Sequence, residues 1–394
     1  MLALSLLFLL MVILIRFKVP IGLSLIAGAI FLGIFHFGIG RDFWNLIYQS
    51  LINLKSWKLV VTVALILTFA RVFEKEHFVE SMVTSLRSFF PPSWVSKAAP
   101  AIIGLLPMPG GAMVSAPVVK EIGRDSEISP EDLTASNYWW RHVWETAWPL
   151  YPSIILAAAV LKVSVWQVSL INFPVSIMCI VSGFFLKSIG SSKRPSENPR
   201  WALLLNSLWP LIAIVVLGLA LRIDLIISVI FVLILMFLTR KIKISVLFDG
   251  IKHGFSLEIV ALIFGVMTLM YSIEITGTAS VFYHELLALN VPAEAVVFVV
   301  PFVVGLLTGI TSAYIGVGFP IVLPLIGTSL SNQAGMLLAF SGGFMGIMAS
   351  PMHLCLVLTK DYFGASLFRS IFRLVLPIFF TSIMAFFLAY TFYH

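Results

Sequence analysis

Long apolar runs separated by short polar segments dominate the pattern of this sequence. A run of about 20 apolar residues is long enough to cross the hydrocarbon core of a bilayer as an α-helix. The pattern therefore predicts an all-α polytopic membrane protein with about ten transmembrane helices. The candidate spans lie near residues 1–16, 20–39, 54–72, 135–161, 164–187, 201–220, 223–240, 255–275, 333–359 and 366–391.

Two further apolar stretches, near residues 97–121 and 294–327, contain helix breakers at their centres. The first carries Pro-Met-Pro-Gly-Gly at residues 107–111, and the second carries glycines among the hydroxyl side chains of residues 308–318. Irregular backbone at membrane depth is tolerated only where it is buried in protein or lines a wet cavity. We therefore expect two re-entrant hairpins whose tips meet near the middle of the membrane, where helix N-termini favour anions.

The two halves of the sequence match in order, which indicates a duplication. We expect a first repeat at 1–189, a polar linker at 190–200 and a second repeat at 201–394. The spacing between matched prolines grows by one residue from pair to pair, as insertions in loops would produce. The pairs are Pro100 with Pro301, Pro149 with Pro351, and Pro174 with Pro377.

The charges orient the predicted spans. Only 11% of the residues are charged, against roughly 25% in soluble domains. The net charge of +7 comes from short basic clusters between apolar runs, so nucleic acid is not an expected partner. Most of these basic residues share one side when both termini lie outside, which makes the linker cytoplasmic. Five crossings per half then give two repeats of inverted topology.

The N-terminal apolar run argues against a cleaved signal peptide, and the two cysteines argue against a disulfide framework. The run has no basic residue before it and no small-residue cleavage site after it, so a retained first span is expected rather than a signal peptide. Cys179 and Cys355 lie within apolar segments and are expected to pack as small hydrophobic residues. Neither a disulfide framework nor a cysteine-based metal site is predicted.

The helix after the first hairpin is predicted to be broken. Ser129 is a typical N-cap and Pro130 a typical first helical residue. The helix should continue until Pro149 and Pro152 interrupt it, giving a broken helix at about 130–161.

The helix after the second hairpin, at about 332–359, is also predicted to be broken, within residues 341–351. Unwound carbonyls and helix dipoles at such breaks form ion and substrate sites in transporters with inverted repeats.

Three polar side chains on the first broken helix carry the most information. Arg141 and Glu145 are spaced to share a helical face, with His142 beside them. A charge near the bilayer centre costs at least about 2.5 kcal/mol, so each charge requires a partner. Either Arg141 offers a fork of donors to a substrate carboxylate while Glu145 or His142 takes part in coupling, or Arg141 pairs with Glu145 or extends to the membrane boundary.

Residues at the tips and breaks form the candidate site. Glycine and serine also serve close helix packing, and His353 is equally compatible with an interior histidine that binds no ligand. No catalytic residue and no cofactor is expected, apart from a sodium ion. The candidate substrate-binding residues are Pro109, Gly110, Gly111, Ser115, Asn137, Arg141, Thr308, Gly309, Thr311, Ser312, Tyr314, Ser350 and His353. The candidates for the coupling ion or proton are Glu145, His142, Ser341, Gly342 and Gly343.

These features favour a secondary active transporter for a small organic anion, coupled to sodium or protons. A cation/proton antiporter that uses Glu145, His142 and Arg141 without an organic solute is an alternative. An intramembrane enzyme fits less well, because the sequence lacks a Gly-x-Ser-x-Gly nucleophile turn and a His-Glu-x-x-His metal pair.

The segments GLLPMPGGAMVSAPVV, GLLTGITSAYIGVGFP and ASPMHLCLVLTKDYFG resemble those of an uncharacterised family of prokaryotic integral membrane proteins within the ion transporter superfamily. Gluconate permeases and divalent-anion sodium symporters are better-known relatives. The resemblance implies a prokaryotic cytoplasmic membrane, a homodimer and elevator-like movement of a transport domain. The Ser-Asn-Thr tip motifs of sodium-coupled dicarboxylate carriers are absent, so sodium coupling and dicarboxylate specificity do not carry over.

Overall fold

The computed structural model describes residues 2–108, 110–124, 127–193, 198–278, 281, 285 and 291–393. These residues form helices and no β-strand, which confirms the predicted all-α class. The helices of the first half are α1 Leu2–Arg16, α2 Ile21–Phe37, α3 Arg41–Ile52, α4 Leu54–Lys75, α5 Phe78–Phe89, α6 Pro92–Ile103, α7 Ala112–Gly123, α8 Pro130–His142, α9 Pro152–Leu161 and α10 Val165–Gly183.

The second half continues with the same kinds of element. Its helices are α11 Trp201–Val215 with a π-helical end Val216–Ala220, α12 Leu225–Arg240, α13 Ile244–Gly254, α14 Leu257–Thr276, α15 Ala293–Thr308, α16 Thr311–Ala313 with a π-helical segment Tyr314–Gly318, α17 Phe319–Ile326, α18 Gln333–Ala349, α19 Leu354–Phe363 and α20 Leu367–Phe392.

Several of these helices are long and apolar enough to cross a membrane, as a multi-pass membrane protein requires. Among the described residues 6 helical segments meet this condition by length and composition. They are Leu54–Lys75, Val165–Gly183, Trp201–Ala220, Ile244–Thr276, Gln333–Phe363 and Leu367–Phe392. The segment Ile244–Thr276 combines α13 with α14, and Gln333–Phe363 combines α18 with α19. Shorter apolar helices accompany them. The predicted count of about ten spans stays a prediction.

Helices α3, α5 and α13 were not predicted from the sequence. Each has 11 or 12 residues, too few to cross a bilayer, and mixes apolar with polar positions. Helix α13 packs along α4, where Gly254 lies so close that a Cβ atom there would be 2.1 Å from the carbonyl oxygen of Ala64. Helices α2 and α14 are joined in the same way through Gly22 and Gly265. These four helices form one packed unit beside the hairpins.

Each of the two stretches predicted as hairpins contains helices that pack against each other. Helices α6 and α7 pack against each other, and α15 packs against the Tyr314–Gly318 segment and α17. Gly110 and Gly309 have φ angles of 68° and 64° at the two tips, a conformation that glycine adopts without strain. Their re-entry from opposite membrane faces stays a prediction.

Each region predicted as a broken helix contains two helices separated by a short non-helical segment. The first helix ends at His142, before Pro149, and resumes at Pro152. The Ser129 hydroxyl caps it at the start by accepting a hydrogen bond from the Asp132 amide. The second helix runs without interruption to Ala349 and resumes at Leu354, so the break falls at the end of the predicted interval.

Candidate functional site

A cavity of about 790 Å³ lies where both hairpin tips meet the breaks of both broken helices. Its opposite wall comes from α4, α13 and α14, with Leu67, Arg71, Asp249, Lys252, Glu258 and Leu262 among its residues. Eight residues predicted for the site line this cavity: Gly110, Arg141, His142, Glu145, Gly309, Thr311, Ser312 and His353.

Arg141, at the end of α8, holds the first hairpin tip in place. Its guanidinium is only 2% exposed and donates hydrogen bonds of 2.7 Å to the Tyr151 hydroxyl and 2.9 Å to the Leu106 carbonyl. The Tyr151 hydroxyl donates in turn to the carbonyl of Gly104 at 2.6 Å. The Nε atom is buried and has no hydrogen-bond partner within the described part of the chain. The Nε–H is therefore a donor that the described residues do not use.

Gly111 explains how the guanidinium can lie against the tip. A Cβ atom on Gly111 would lie 2.6 Å from one terminal nitrogen of Arg141 and 2.8 Å from Nε. Both distances are shorter than real Cβ contacts, so any larger residue would displace the charge. The absence of a side chain at Gly111 therefore allows the tip backbone to lie close to the Arg141 guanidinium.

Glu145 lies in the first break and contacts the second hairpin tip. Its Oε1 accepts a hydrogen bond of 2.5 Å from the Thr311 hydroxyl, and its Oε2 lies 3.9 Å from Nε2 of His142. Helix α8 ends before Glu145, so Arg141 and Glu145 do not share a helical face as the spacing predicted. The hydrogen-bond partners of Arg141 among the described residues are two carbonyls and a hydroxyl rather than this carboxylate.

His353 lies in the second break and joins the two halves of the site. Its Nδ1 is 2.8 Å from the carbonyl oxygen of Gly309. Its Nε2 is 3.2 Å from Nε2 of His142, whose Nδ1 is 2.6 Å from the carbonyl oxygen of Tyr138. The Tyr138 hydroxyl donates to the Ile347 carbonyl at 3.2 Å. Both broken helices and the second tip are thus connected by polar contacts.

Comparison with known proteins places the chain in a family and a fold. Residues 1–392 match the family described as protein of unknown function DUF401. The chain belongs to the DUF401 family. The predicted membership of an uncharacterised family is therefore confirmed.

The fold of this DUF401 chain is similar to that of the YdaH transporter of Alcanivorax borkumensis, whose crystal structure revealed an unusual topology. The TM-score is 0.64 at 12% sequence identity, and the likeness covers 89% of each chain. At this identity the likeness shows the fold alone. No curated protein matches the chain.

Four predicted site residues of the DUF401 chain do not line the cavity. Their side chains instead form hydrogen bonds that support the hairpin tips. The Asn137 amide and the Ser115 hydroxyl both donate to the carbonyl of Ala112 at the start of α7. The Ser350 hydroxyl donates to the Leu306 carbonyl, and the Thr308 hydroxyl to the Val304 carbonyl. Their contacts position the hairpins rather than a ligand.

The structure places the Ser341, Gly342 and Gly343 group away from the break that was predicted to expose ion-binding carbonyls. These residues lie inside the continuous helix α18 and are fully buried. A Cβ atom on Gly342 would lie 2.1 Å from the carbonyl oxygen of Phe298 in α15. One on Gly343 would lie 2.1 Å from the ring of Tyr314. The glycines permit close packing of α18 on α15, which was the alternative explanation given to such residues.

Tyr314 and Pro109 complete the predicted set. Tyr314 is completely buried, its ring packs against Phe340, and its hydroxyl has no partner in the described ranges. It does not line the cavity. Pro109 lies outside the described residues.

Sequence reasoning missed three residues of the site. Tyr151 links Arg141 to the first hairpin, Tyr138 links the two broken helices, and the thiol of Cys355 lies within 4.8 Å of the ligand nitrogens of His142 and His353. The signal for Tyr151 was its position between two helix-breaking prolines. Nothing in the sequence distinguished Cys355 from the equally buried Cys179.

Proposed function

We propose that this chain is a secondary active transporter that carries a small organic anion across the cytoplasmic membrane, coupled to sodium or protons. The observation that carries the proposal is the cavity in which both hairpin tips and both helix breaks meet. Discontinuous helices that meet in this way form the central binding sites of transporters with inverted repeats.

Arg141 supports the choice of an anion. It is buried, lines the cavity and keeps an unused Nε donor. A guanidinium beside a cavity binds a planar carboxylate through two parallel hydrogen bonds, which an ammonium group cannot reproduce. On the opposite wall Lys252 and Arg71 line the cavity beside Asp249 and Glu258, and Arg71 is ion-paired with Asp249 at 3.0 Å, so the proposed anion contact rests on Arg141. A small carboxylate is the solute class that this arrangement favours.

Glu145, His142 and His353 support coupling to protons or a cation. All three line the cavity and are largely buried. Histidine changes its charge near neutral pH, and a carboxylate that exchanges a proton or cation as the solute binds would link the two fluxes. Sodium fits the carboxylate and hydroxyl oxygens of Glu145 and Thr311.

The transport domain is proposed to move across the membrane by an elevator mechanism. The chain is also proposed to belong to the ion transporter superfamily. The two halves carry a hairpin, a broken helix and a long final helix in the same order, as two inverted repeats would. Helices α2, α4, α13 and α14 would be the scaffold along which the hairpins and broken helices move. The chain is also proposed to form a homodimer. The scaffolds of the two subunits would then hold each other in place.

Uptake into proteoliposomes tests the proposal. The purified chain is reconstituted, and labelled small mono-, di- and tricarboxylates are offered with an inward sodium gradient, an inward proton gradient or neither. We expect gradient-dependent accumulation of at least one carboxylate, and much less of it with Arg141→Lys. Accumulation of neutral sugars or amino acids in place of carboxylates would refute the anion assignment.

A cation/proton antiporter is the second candidate, favoured by the close pair His142 and His353 beside Glu145. An antiporter would dissipate an imposed pH gradient when sodium or potassium is added to liposomes that contain no organic solute. The anion transporter would do so only when its solute is present. A fluorescent pH indicator inside the liposomes separates the two.

Orientation is tested separately by reporter fusions. The linker 190–200 should face the cytoplasm and the end of the chain should face outside. A cytoplasmic reporter signal at the end of the chain would contradict the inverted five-plus-five arrangement.

A further inference from the structure

We infer that His142, His353 and Cys355 form a binding site for a borderline-soft divalent transition-metal cation of the zinc class. The three side chains are buried, and their ligand atoms lie within 4.8 Å of one another. The site shares the cavity of the proposed transport site, but the inference does not depend on the solute.

The hydrogen bonds of the two imidazoles fix their tautomers. Nδ1 of His142 faces the Tyr138 carbonyl at 2.6 Å, and Nδ1 of His353 faces the Gly309 carbonyl at 2.8 Å. A carbonyl oxygen only accepts, so each Nδ1 must carry the hydrogen. In the neutral rings each Nε2 then presents a lone pair. Metal-bound histidines usually have this arrangement, with the second ring nitrogen donating to a carbonyl or carboxylate.

The two lone pairs face each other at a distance that requires something between them. The Nε2 atoms are 3.2 Å apart, where two acceptors without a shared cation repel. Zn–N bonds of about 2.0–2.1 Å at a tetrahedral angle place two nitrogen ligands roughly 3.3 Å apart. The pair therefore has the spacing of two ligands of one tetrahedral ion.

Cys355 distinguishes a transition metal from a shared proton or sodium. A proton held between two imidazoles needs no third ligand, and sodium prefers oxygen. Thiolate and imidazole together select zinc and similar ions. On binding, the Cys355 thiol loses its proton to the solvent, and the Sγ–metal bond replaces the S–H bond. Exposure of 7% beside the cavity gives the thiol an access path.

Glu145 supplies the charge that a divalent ion needs. Its Oε1 is occupied by the Thr311 hydroxyl, while Oε2 faces His142 at 3.9 Å from Nε2. Together the Cys355 thiolate and the Glu145 carboxylate balance two positive charges in a buried setting. Three protein ligands beside a cavity leave one coordination position that a carboxylate or a water can fill, as in zinc sites that bind exchangeable ligands.

Cobalt(II) absorption of the purified full-length chain tests the site without any transport measurement. The protein in detergent is treated with a chelator, desalted and titrated with CoCl₂, and then with ZnCl₂. We expect a near-ultraviolet thiolate-to-cobalt charge-transfer band, intense visible bands of tetrahedral Co²⁺ at one equivalent, and loss of both on addition of zinc. Cys355→Ser should abolish the charge-transfer band.

Cys179→Ser is the matched control, because Cys179 is equally buried but its thiol is not part of the cluster. It should leave the spectrum unchanged. His142→Gln and His353→Gln should each weaken cobalt binding by more than about tenfold, the smallest loss expected when even an outer partner of a metal ligand is removed. If a histidine variant fails to fold, the nearly isosteric Cys355→Ser still decides the question.

The inference is overturned if the wild-type chain shows no charge-transfer band at saturating cobalt, or if Cys179→Ser rather than Cys355→Ser removes it. In either case His142, His353 and Cys355 do not bind the metal together. Such a result leaves the proposed transport function untouched, because carboxylate uptake is measured in separate proteoliposomes. Conversely, a full cobalt spectrum in a chain that carries no anion would refute only the transport proposal.

Discussion

The hydroxyl of Thr311, on the second hairpin tip, donates a hydrogen bond of 2.5 Å to the carboxylate of Glu145, in the break of the first broken helix. The two residues are 166 positions apart in the chain. This bond joins the two halves of the protein across the cavity.

Removal of the Thr311 hydroxyl should impair uptake. A hydrogen bond to a charged group contributes about 1.5–3 kcal/mol, so we expect Thr311→Val to lower the uptake rate by at least about tenfold and Thr311→Ser to keep most of it. Thr62→Val is the control, since that hydroxyl bonds only within its own helix. Equal rates for Thr311→Val and wild type would show that the bond has no role in transport.

Arg141 should not be rescued by removing Glu145. The guanidinium bonds to Tyr151 and to tip carbonyls, so Arg141→Ala should abolish uptake and the double variant with Glu145→Ala should remain inactive. Arg141→Lys should also lose most uptake, because an ammonium lacks the fork geometry. Recovery in the double variant would establish an ion pair and remove the substrate-binding role.

Gly111→Ala should displace the Arg141 guanidinium. The new methyl group would overlap two of its nitrogens, and overpacking of this kind costs about 1–3 kcal/mol. We expect a lower melting temperature in detergent and a loss of uptake. Gly40→Ala, whose Cβ would meet only the Phe37 carbonyl at 3.6 Å, should change neither. A fully active Gly111→Ala protein would mean that the tip and Arg141 are not in contact.

Ser341→Ala should leave the cation dependence of uptake unchanged, because Ser341 is buried in a continuous helix and does not line the cavity. Gly342→Ala should lower the melting temperature by forcing α18 away from α15. A change in the sodium or proton concentration for half-maximal uptake with Ser341→Ala would restore the original ion-site hypothesis for this segment.

A cysteine in place of Ser312 should react with a polar, membrane-impermeant maleimide, since Ser312 lines the cavity. The change is made in a Cys355→Ser background, because Cys355 lines the same cavity, whereas Cys179 is only 1% exposed. Ser24→Cys is the unreactive control, at a fully buried position. Substrate should change the labelling rate at Ser312→Cys. Equal rates at both positions would place Ser312 away from the cavity.

The sequence was sufficient for the elements that depend on local composition. Apolar length was sufficient for the all-α membrane class, and Pro107 and Gly110 indicated an interruption between α6 and α7, because proline and glycine act on the backbone of their own neighbourhood. The amphipathic helices α3 and α13 were missed because they are short and only partly apolar. Their helical state depends on packing against other helices, which a hydropathy pattern does not contain.

The positions of the breaks required the tertiary structure. No proline or glycine lies between Arg141 and Trp148, yet the helix ends at His142 and tight turns follow, with the Glu145 amide donating to the His142 carbonyl. Contacts with the second half hold that segment. In α18 the reverse occurs, because Gly342 suggests a break but lies against the backbone of α15. Glycine can therefore either interrupt a helix or allow close helix packing, and the neighbouring residues in the tertiary structure decide which occurs.

The separation of Glu145 from Thr311 also affects how the protein is made. The first half leaves the ribosome before the second half exists, and synthesis proceeds at about 5–20 residues per second. The separation of 166 positions therefore takes roughly 10–30 s to synthesise at that rate. During this interval Arg141, His142 and Glu145 enter the membrane before Thr311 and His353 have been made. Each unpartnered charge near the bilayer centre costs about 2.5 kcal/mol or more of insertion free energy. The cell's insertion machinery must therefore shelter a polar segment of every nascent chain until its partners arrive.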